Sequence, residues 1–260
     1  KFFIKKNLMK ENIKKSFDKG SWNYDKFNDI QRQTGKKLVD FFLQKLKKNN
    51  HMKNVSFNIL DLGCGTGDFS KELIKNLSVK SIQMLDLSQE MINISKTKVR
   101  FCEVKFSVLD FDNFEKFNKF NLVVSNMSLH WSENIFNFYI KVVKQLCPGS
   151  FFLFSIPNSS SFLSLKNLFK KHNRDLNLNQ LPETRKILDL ECNKILNVNL
   201  KNITLKKKYK HPLVFLNELK KIGANFSINK SKHNLFFLKS IQNFDFEIDY
   251  VISCFLIEKK

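Results

Sequence analysis

The chain has 260 residues, 42% of them hydrophobic, and a net charge of +21; this is enough apolar material for one substantial α/β core. No run of 18 apolar residues occurs, which excludes a helical membrane span and gives the expectation of a cytoplasmic protein with no membrane partner. Among 45 basic residues only Arg32, Arg100, Arg174 and Arg185 are arginines, and neither arginine forks nor a recognisable binding module is visible, so no nucleic-acid partner is expected.

In chain order, residues 1–52 read as an N-terminal helical segment. Residues 1–10 are basic but lack the apolar core and cleavage site of a secretion signal, and Met9 is a candidate native start. Within 30–46, Leu38, Phe41, Phe42 and Leu46 recur at helical spacing. Residues 53–260 read as the main domain. Ile59, Leu60 and Leu62 suit a buried strand, 63–67 a glycine turn and 68–77 the following helix. Strands are expected at 81–86, 104–109, 120–125 and 150–156, with a helix at 89–96 between the first two. Cys147-Pro148-Gly149 turns the chain into the fifth strand. About 157–210 is polar and asparagine-rich with a helical patch at 162–171, and reads as an inserted cap. A helix at 212–221 and two closing strands, at 234–239 and 247–258, complete the pattern.

The chemistry concentrates at strand ends. The run Asp61-Leu62-Gly63-Cys64-Gly65-Thr66-Gly67 has the spacing acid-x-Gly-x-Gly-x-Gly. A dinucleotide fingerprint would need glycine at position 68, which is Asp68, and the run instead resembles the cofactor loop of Rossmann-like S-adenosylmethionine (AdoMet) methyltransferases. Asp86 ends the second strand 19 residues after Gly67, near the offset at which an acid reaches a ribose diol; capping of the next helix together with Ser88 is the alternative. Asp110 and Phe111 end the third strand, where an acid can accept from an adenine amino group beside an aromatic ring, with Asp112 competing for that place. Asn126 lies past the fourth strand, where ligands collect in such sheets. The five cysteines, Cys64, Cys102, Cys147, Cys192 and Cys254, are scattered, which suits a reducing compartment and argues against a zinc site or disulfide frame.

Three further segments narrow the reading. Ser16-Phe17-Asp18-Lys19-Gly20 with Tyr24 and Ile30-Gln31-Arg32, then Ser125-Asn126-Met127-Ser128-Leu129-His130-Trp131, then Phe215-Leu216 and Lys221-Ile222-Gly223-Ala224-Asn225 resemble the malonyl-acyl-carrier-protein O-methyltransferases of biotin synthesis. The resemblance covers roughly 13–258 and departs at Thr66, where many members carry proline, and at Met127, where many carry leucine. It implies a class I fold with a seven-stranded, mostly parallel sheet, helices on both faces, N-terminal helices and an inserted cap. It also implies AdoMet as donor, S-adenosylhomocysteine as product, and the carboxylate of a malonyl group carried on acyl carrier protein as acceptor.

Residue roles follow from that resemblance. Arg32, Asp61, Gly63, Gly65, Asp86, Leu87, Met91, Asp110, Phe111 and Asn126 form the cofactor set. Arg32 would hold the methionine carboxylate, or else is a solvated arginine on a helix face. Tyr24 and Trp131 form the catalytic set, Tyr24 closing over the sulfonium or else covering the core. His130 borders the acceptor without being needed as a base, because a carboxylate of pKa about 4 is already ionised at neutral pH. Lys206, Lys207, Lys208 and Lys210, with Lys220 and Lys221, are candidates for docking the carrier. The expectation is a monomer without metal. A small-molecule methyltransferase of the quinone-pathway kind, a methyltransferase-fold assembly factor and an RNA methyltransferase remain as alternatives at this point.

Overall fold

Apolar runs of strand length alternate with amphipathic helical segments, and the computed structural model of the chain folds them into one layered sheet. It describes residues 2–48, 55–101, 103–174, 176, 180–224, 232–241 and 245–260, with side chains at 2–7 and 232–235 outside that description. The long helices α1 (Phe2–Phe27) and α2 (Asp29–Lys48) come first. They are followed by β1 (Phe57–Leu62), α3 (Asp68–Asn76), β2 (Val79–Asp86), α4 (Gln89–Lys98), β3 (Val104–Val108) and β4 (Leu122–Asn126). Then come α5 (Ile135–Gln145), β5 (Phe151–Pro157), α6 (Leu163–Lys171), β6 (Leu196–Tyr209), α7 (Pro212–Lys221), α8 (Lys232–Ser240) and β7 (Phe246–Lys259).

The seven strands lie in the order β3-β2-β1-β4-β5-β7-β6. The first five are parallel and β7 runs antiparallel between β5 and β6. The order reverses between β1 and β4, so a crevice opens beyond their carboxyl ends. One face of the sheet is covered by α2, α3, α4, α6, α7 and α8, and the other by α5 with the phenylalanine-rich turns at 111–119. Burial on both faces accounts for strands that read as apolar runs, such as fully buried β5. On α2, Phe42 sits between Phe57 and Phe151 at ring-centroid distances of 5.6 and 5.2 Å. A side chain of that size contributes on the order of 2–3 kcal/mol through burial alone.

Helix α1 packs on α4 and α7, and α2 on α3 and β5. Two expectations change. The run 234–239 lies within helix α8 and not within a strand. Phe237 and Leu238 are buried while Phe236 is 77% exposed; so short an apolar run has no period that separates helix from strand. The region expected to be cap, about 157–210, contributes sheet: Leu196–Tyr209 is β6, paired with β7 along its whole length. Its apolar side chains change parity midway. Leu196, Val198 and Leu200 join the α5 side of the core, whereas Ile203, Leu205 and Tyr209 join the α7 side. That switch, in an Asn- and Lys-rich segment, hides the strand's period of two. Asn225, Cys102 and cap residues 175 and 177–179 lie outside the described residues.

Candidate functional site

The β1–α3 turn is shaped by glycine geometry. Gly63 has φ 71°, a left-handed value, and a Cβ there would overlap the side chain of Ser128. Its N–H and that of Cys64 donate to the Leu85 carbonyl at 2.8 and 2.9 Å, which holds the turn against the end of β2. The result is an open cavity lined by Tyr24, Gln31, Arg32, Asp61, Gly63, Gly65 and Asn126, among others. A second, smaller one is lined by Lys10, Phe17, Tyr24, Asp86, Leu87, Met91, Asp110, Phe111, Asn126 and Trp131, among others. Both share Tyr24, Gly63, Gly65 and Asn126, so they form two ends of one cleft. All twelve residues expected as catalytic or cofactor-binding line it.

Carboxylates set its electrostatics. Asp61 is 1% exposed. Ser70 Oγ donates to its Oδ2 at 2.6 Å, and its Oδ1 is buried with no hydrogen-bond partner. Desolvation pushes its pKa up to about 7. Asp86 accepts from the Gly65 N–H at 2.8 Å and the Ser88 N–H at 2.9 Å. Burial outweighs those two bonds and raises its pKa to about 6. Ser88 caps α4 by accepting from Met91 N–H, so the capping role falls to Ser88 while Asp86 faces the cleft. Asp110 and Asp112 separate in the same way. Asp110 lines the cleft, and Asp112 is taken up by Ser132 Oγ at 2.7 Å and Glu133 N–H at 2.9 Å. Lys10 Nζ joins the two carboxylates, at 3.0 Å from Asp110 and 2.7 Å from Asp112.

Asn126 holds elements together, donating to the Gln31 carbonyl at 2.9 Å and accepting from Ser155 Oγ at 2.8 Å. Arg32 lines the wider cavity with its guanidinium Nη2 2.7 Å from Asp29, leaving its other donors for an anion.

Helix α1 crosses the strand ends and is fastened at three points on one face. Lys10 meets the end of β3. Asp18 accepts from Ser88 Oγ at 2.5 Å at the start of α4, and Asp25 accepts from Thr66 Oγ1 at 2.6 Å and Lys98 Nζ at 2.8 Å. Sequence reasoning noted Thr66 only as a departure from proline; its hydroxyl is one of these fastenings. Lys98 also pairs with Asp68 at 2.5 Å. Lys10, Asp18 and Asp25 recur at near-whole helical turns, a signal present in the sequence but masked by the abundance of lysine.

A third, smaller cavity adjoins the cleft through Tyr24. It is lined by Phe17, Gln31, Met127, His130, Trp131, Pro157, Phe162, Leu219, Ile222, Ala224 and Tyr250. Among the described residues, no Lys, Arg, Asp or Glu lines it. Trp131 packs edge-on to Phe17 at 5.6 Å and beside His130 at 4.9 Å. His130 Nδ1 and Gln31 Oε1 are buried without partners, and desolvation lowers the His130 pKa to about 3, so the imidazole is neutral. Burial raises the Tyr24 phenol above its ordinary value, with Asp86 adding to the effect. Gln31, Phe162 and Tyr250 were not singled out as site residues from the sequence; their contribution depends on α2, α6 and β7 meeting in space.

The residues fit AdoMet on two observations. Asp61 Oδ1 is an unpaired buried acceptor in the cavity where a cationic ammonium would complete it. Asp86 keeps acceptor capacity for a diol beyond its two backbone bonds.

Residues 59–149 match a family described as a methyltransferase domain. The chain is 31% identical over 228 residues to malonyl-[acyl-carrier protein] O-methyltransferase 2 of Ilyobacter polytropus, covering 86% of this chain and 84% of that one. It is 26% identical over 256 residues to malonyl-[acyl-carrier protein] O-methyltransferase 2 of Coxiella burnetii, covering 97% and 98%. In fold it is similar to a plantazolicin methyltransferase solved with a desmethylplantazolicin analogue and S-adenosylhomocysteine, with TM-score 0.59, 16% identity and 98% of each chain covered. Fold and cleft together define an AdoMet-dependent methyltransferase of the Rossmann-like class I. Within that class, the chain belongs to the malonyl-[acyl-carrier protein] O-methyltransferase family.

Proposed function

We propose that the protein methylates the free carboxylate of a malonyl group carried on acyl carrier protein, giving the malonyl methyl ester that primes biotin (pimeloyl) synthesis. The observation that carries this reading is the uncharged chamber beside Tyr24, lined by His130, Trp131 and Tyr250 without a formal charge. An acceptor that is already anionic needs no general base, and burial leaves His130 a weak one.

AdoMet, when bound, supplies an electrophilic methyl carbon on a sulfonium. Asp61 would meet the ammonium of its methionine portion and Asp86 the ribose, while Leu87, Met91, Asp110 and Phe111 would enclose the adenine end. Tyr24 and Trp131 line the passage between cleft and chamber and keep it dry. A malonyl carboxylate oxygen forms the new bond to the methyl carbon as the carbon–sulfur bond breaks, and the sulfur keeps the electron pair. No proton moves. Opposite charges disappear in this step, so excluding water favours it, and alignment supplies much of the acceleration.

The test is transfer of label from methyl-labelled AdoMet, with malonyl-acyl-carrier protein, acetyl-acyl-carrier protein and free malonate compared. Labelling of the malonyl protein alone, lost in Asp86→Ala, is expected. Labelling of a free metabolite in its place would overturn the assignment of acceptor.

A further inference from the structure

The face of α1 that carries Ile13, Phe17 and Tyr24 is turned to the cleft, and its opposite face carries Lys15, Lys19, Trp22 and Lys26 at spacings of four, three and four residues, one continuous stripe of a helix flanked by the fastening residues. Trp22 is 79% exposed, an unusual position for an indole, which buries more area per residue than any other side chain. The three lysines are exposed. Lys15 is loosely paired with Glu11 at 3.9 Å, and no carboxylate among the described residues pairs with Lys19 or Lys26.

A different face of α1 packs against the end of α7. A Cβ on Gly20 would come within 2.5 Å of the Gly223 backbone, and Lys221 Nζ lies 5.0 Å over the Phe27 ring. Lys221, exposed as is Lys220, therefore lies beside the last turn of α1, which carries Lys26. The same two elements supply Phe17, Tyr24, Leu219 and Ile222 to the chamber, so the basic stripe with one aromatic is the outer side of a helix whose inner side lines the chamber.

The β6 lysines expected to dock the carrier are partly committed elsewhere. Lys206 pairs with Glu247 at 2.7 Å, and Lys207 with Glu218 at 2.6 Å and Asp29 at 3.6 Å.

We propose that the outward face of α1, Lys15, Lys19, Trp22 and Lys26, with Lys220 and Lys221 of α7, is the docking surface for the acidic carrier protein. This rests on the acceptor assigned above. The lysines meet the carrier's acidic helices and set encounter rate and orientation, while Trp22 supplies the desolvated anchor. A carrier seated there delivers its malonyl arm to the chamber between α1 and α7.

The experiment compares the intact enzyme with Trp22→Ser and with the double variant Lys19→Glu/Lys26→Glu. It measures KM and kcat for malonyl-acyl-carrier protein, AdoMet affinity, and co-sedimentation with phosphatidylglycerol vesicles. The expected result is a KM raised about tenfold or more in each variant, with kcat and AdoMet affinity within about twofold and a wild-type KM that climbs with salt. KM values unchanged within about twofold would overturn the proposal. So would unchanged KM with lost vesicle binding, which would make the stripe a lipid-facing surface. If the unaltered enzyme fails to methylate the malonyl carrier at all, the acceptor assignment itself fails, an outcome separate from the others.

Discussion

The donor cleft and the acceptor chamber share Tyr24 but are built on opposite plans. The cleft is assembled from the ends of consecutive strands, and its polarity comes from carboxylates and backbone N–H groups: Asp61, Asp86, Asp110 and the 63–67 turn. The chamber is assembled from α1, α2, the 127–131 segment, α7 and β7, and its lining among the described residues has no formal charge. On the reading proposed above, a cationic donor would be received by a cleft lined by Asp61, Asp86 and Asp110 together with Lys10 and Arg32, and an anionic acceptor by a chamber without charged groups among the described residues. Their charges can then cancel in the reaction instead of against the protein.

The largest effects should come from the turn that forms the cleft. Gly63→Val places a branched side chain at φ 71° against Ser128. Titration calorimetry should find AdoMet affinity reduced by roughly 100-fold or more, equivalent to about 2.7 kcal/mol. Retained affinity would mean that the turn does not contact the donor.

Asp61→Asn separates binding from stability. AdoMet affinity should fall about 10- to 100-fold, while the ligand-free protein becomes more stable at pH 8 by about 1–3 kcal/mol. The sign follows from the raised pKa. A carboxyl that titrates near 7 when folded and near 4 when unfolded favours the folded state fully below about pH 4, and this contribution is lost as pH rises through 7. Asparagine removes that loss. A lower melting temperature for Asp61→Asn at pH 8 would contradict the buried-charge account.

The same titration predicts that AdoMet binds more weakly at pH 5.5 than at pH 8, because the acidic end of the cleft must ionise to meet a cation. Asp86, with a pKa near 6, acts in the same direction. Affinity independent of pH over that range would show that Asp61 does not meet the ligand's ammonium and Asp86 does not meet its diol.

The chamber should respond least to loss of titratable chemistry. His130→Gln is expected to leave kcat within about threefold, with no new step in its pH profile between 6 and 9. A loss of about 100-fold would indicate proton transfer and hence a different acceptor.

The same contrast governs what the sequence disclosed. The donor cleft was legible because its residues follow a fixed order along the chain: an acid and glycines after β1, an acid after β2, an acid and phenylalanine after β3. The choice between Asp110 and Asp112 was not, because both sit within hydrogen-bond reach of Lys10 and only packing shows which lines the cleft. Strand β6 escaped because its apolar side chains serve opposite sides of the core in its two halves, and α8 because a four-residue apolar run carries no decisive period. The contributions of Gln31 and Tyr250 to the chamber became visible only once distant segments met, since neither has a local pattern that marks it. Thr66 shows the reverse case: a departure from the family's usual proline whose hydroxyl fastens Asp25 to the glycine turn.

The most direct test of a neutral chamber that receives an anionic oxygen nucleophile is the carbon NMR spectrum of malonyl-acyl-carrier protein after reaction with AdoMet carrying a carbon-13 methyl group. A single new resonance of a methyl ester on the malonyl carboxylate is the predicted result. A methyl bonded to carbon, nitrogen or sulfur, or no labelled methyl on the carrier protein, would contradict it.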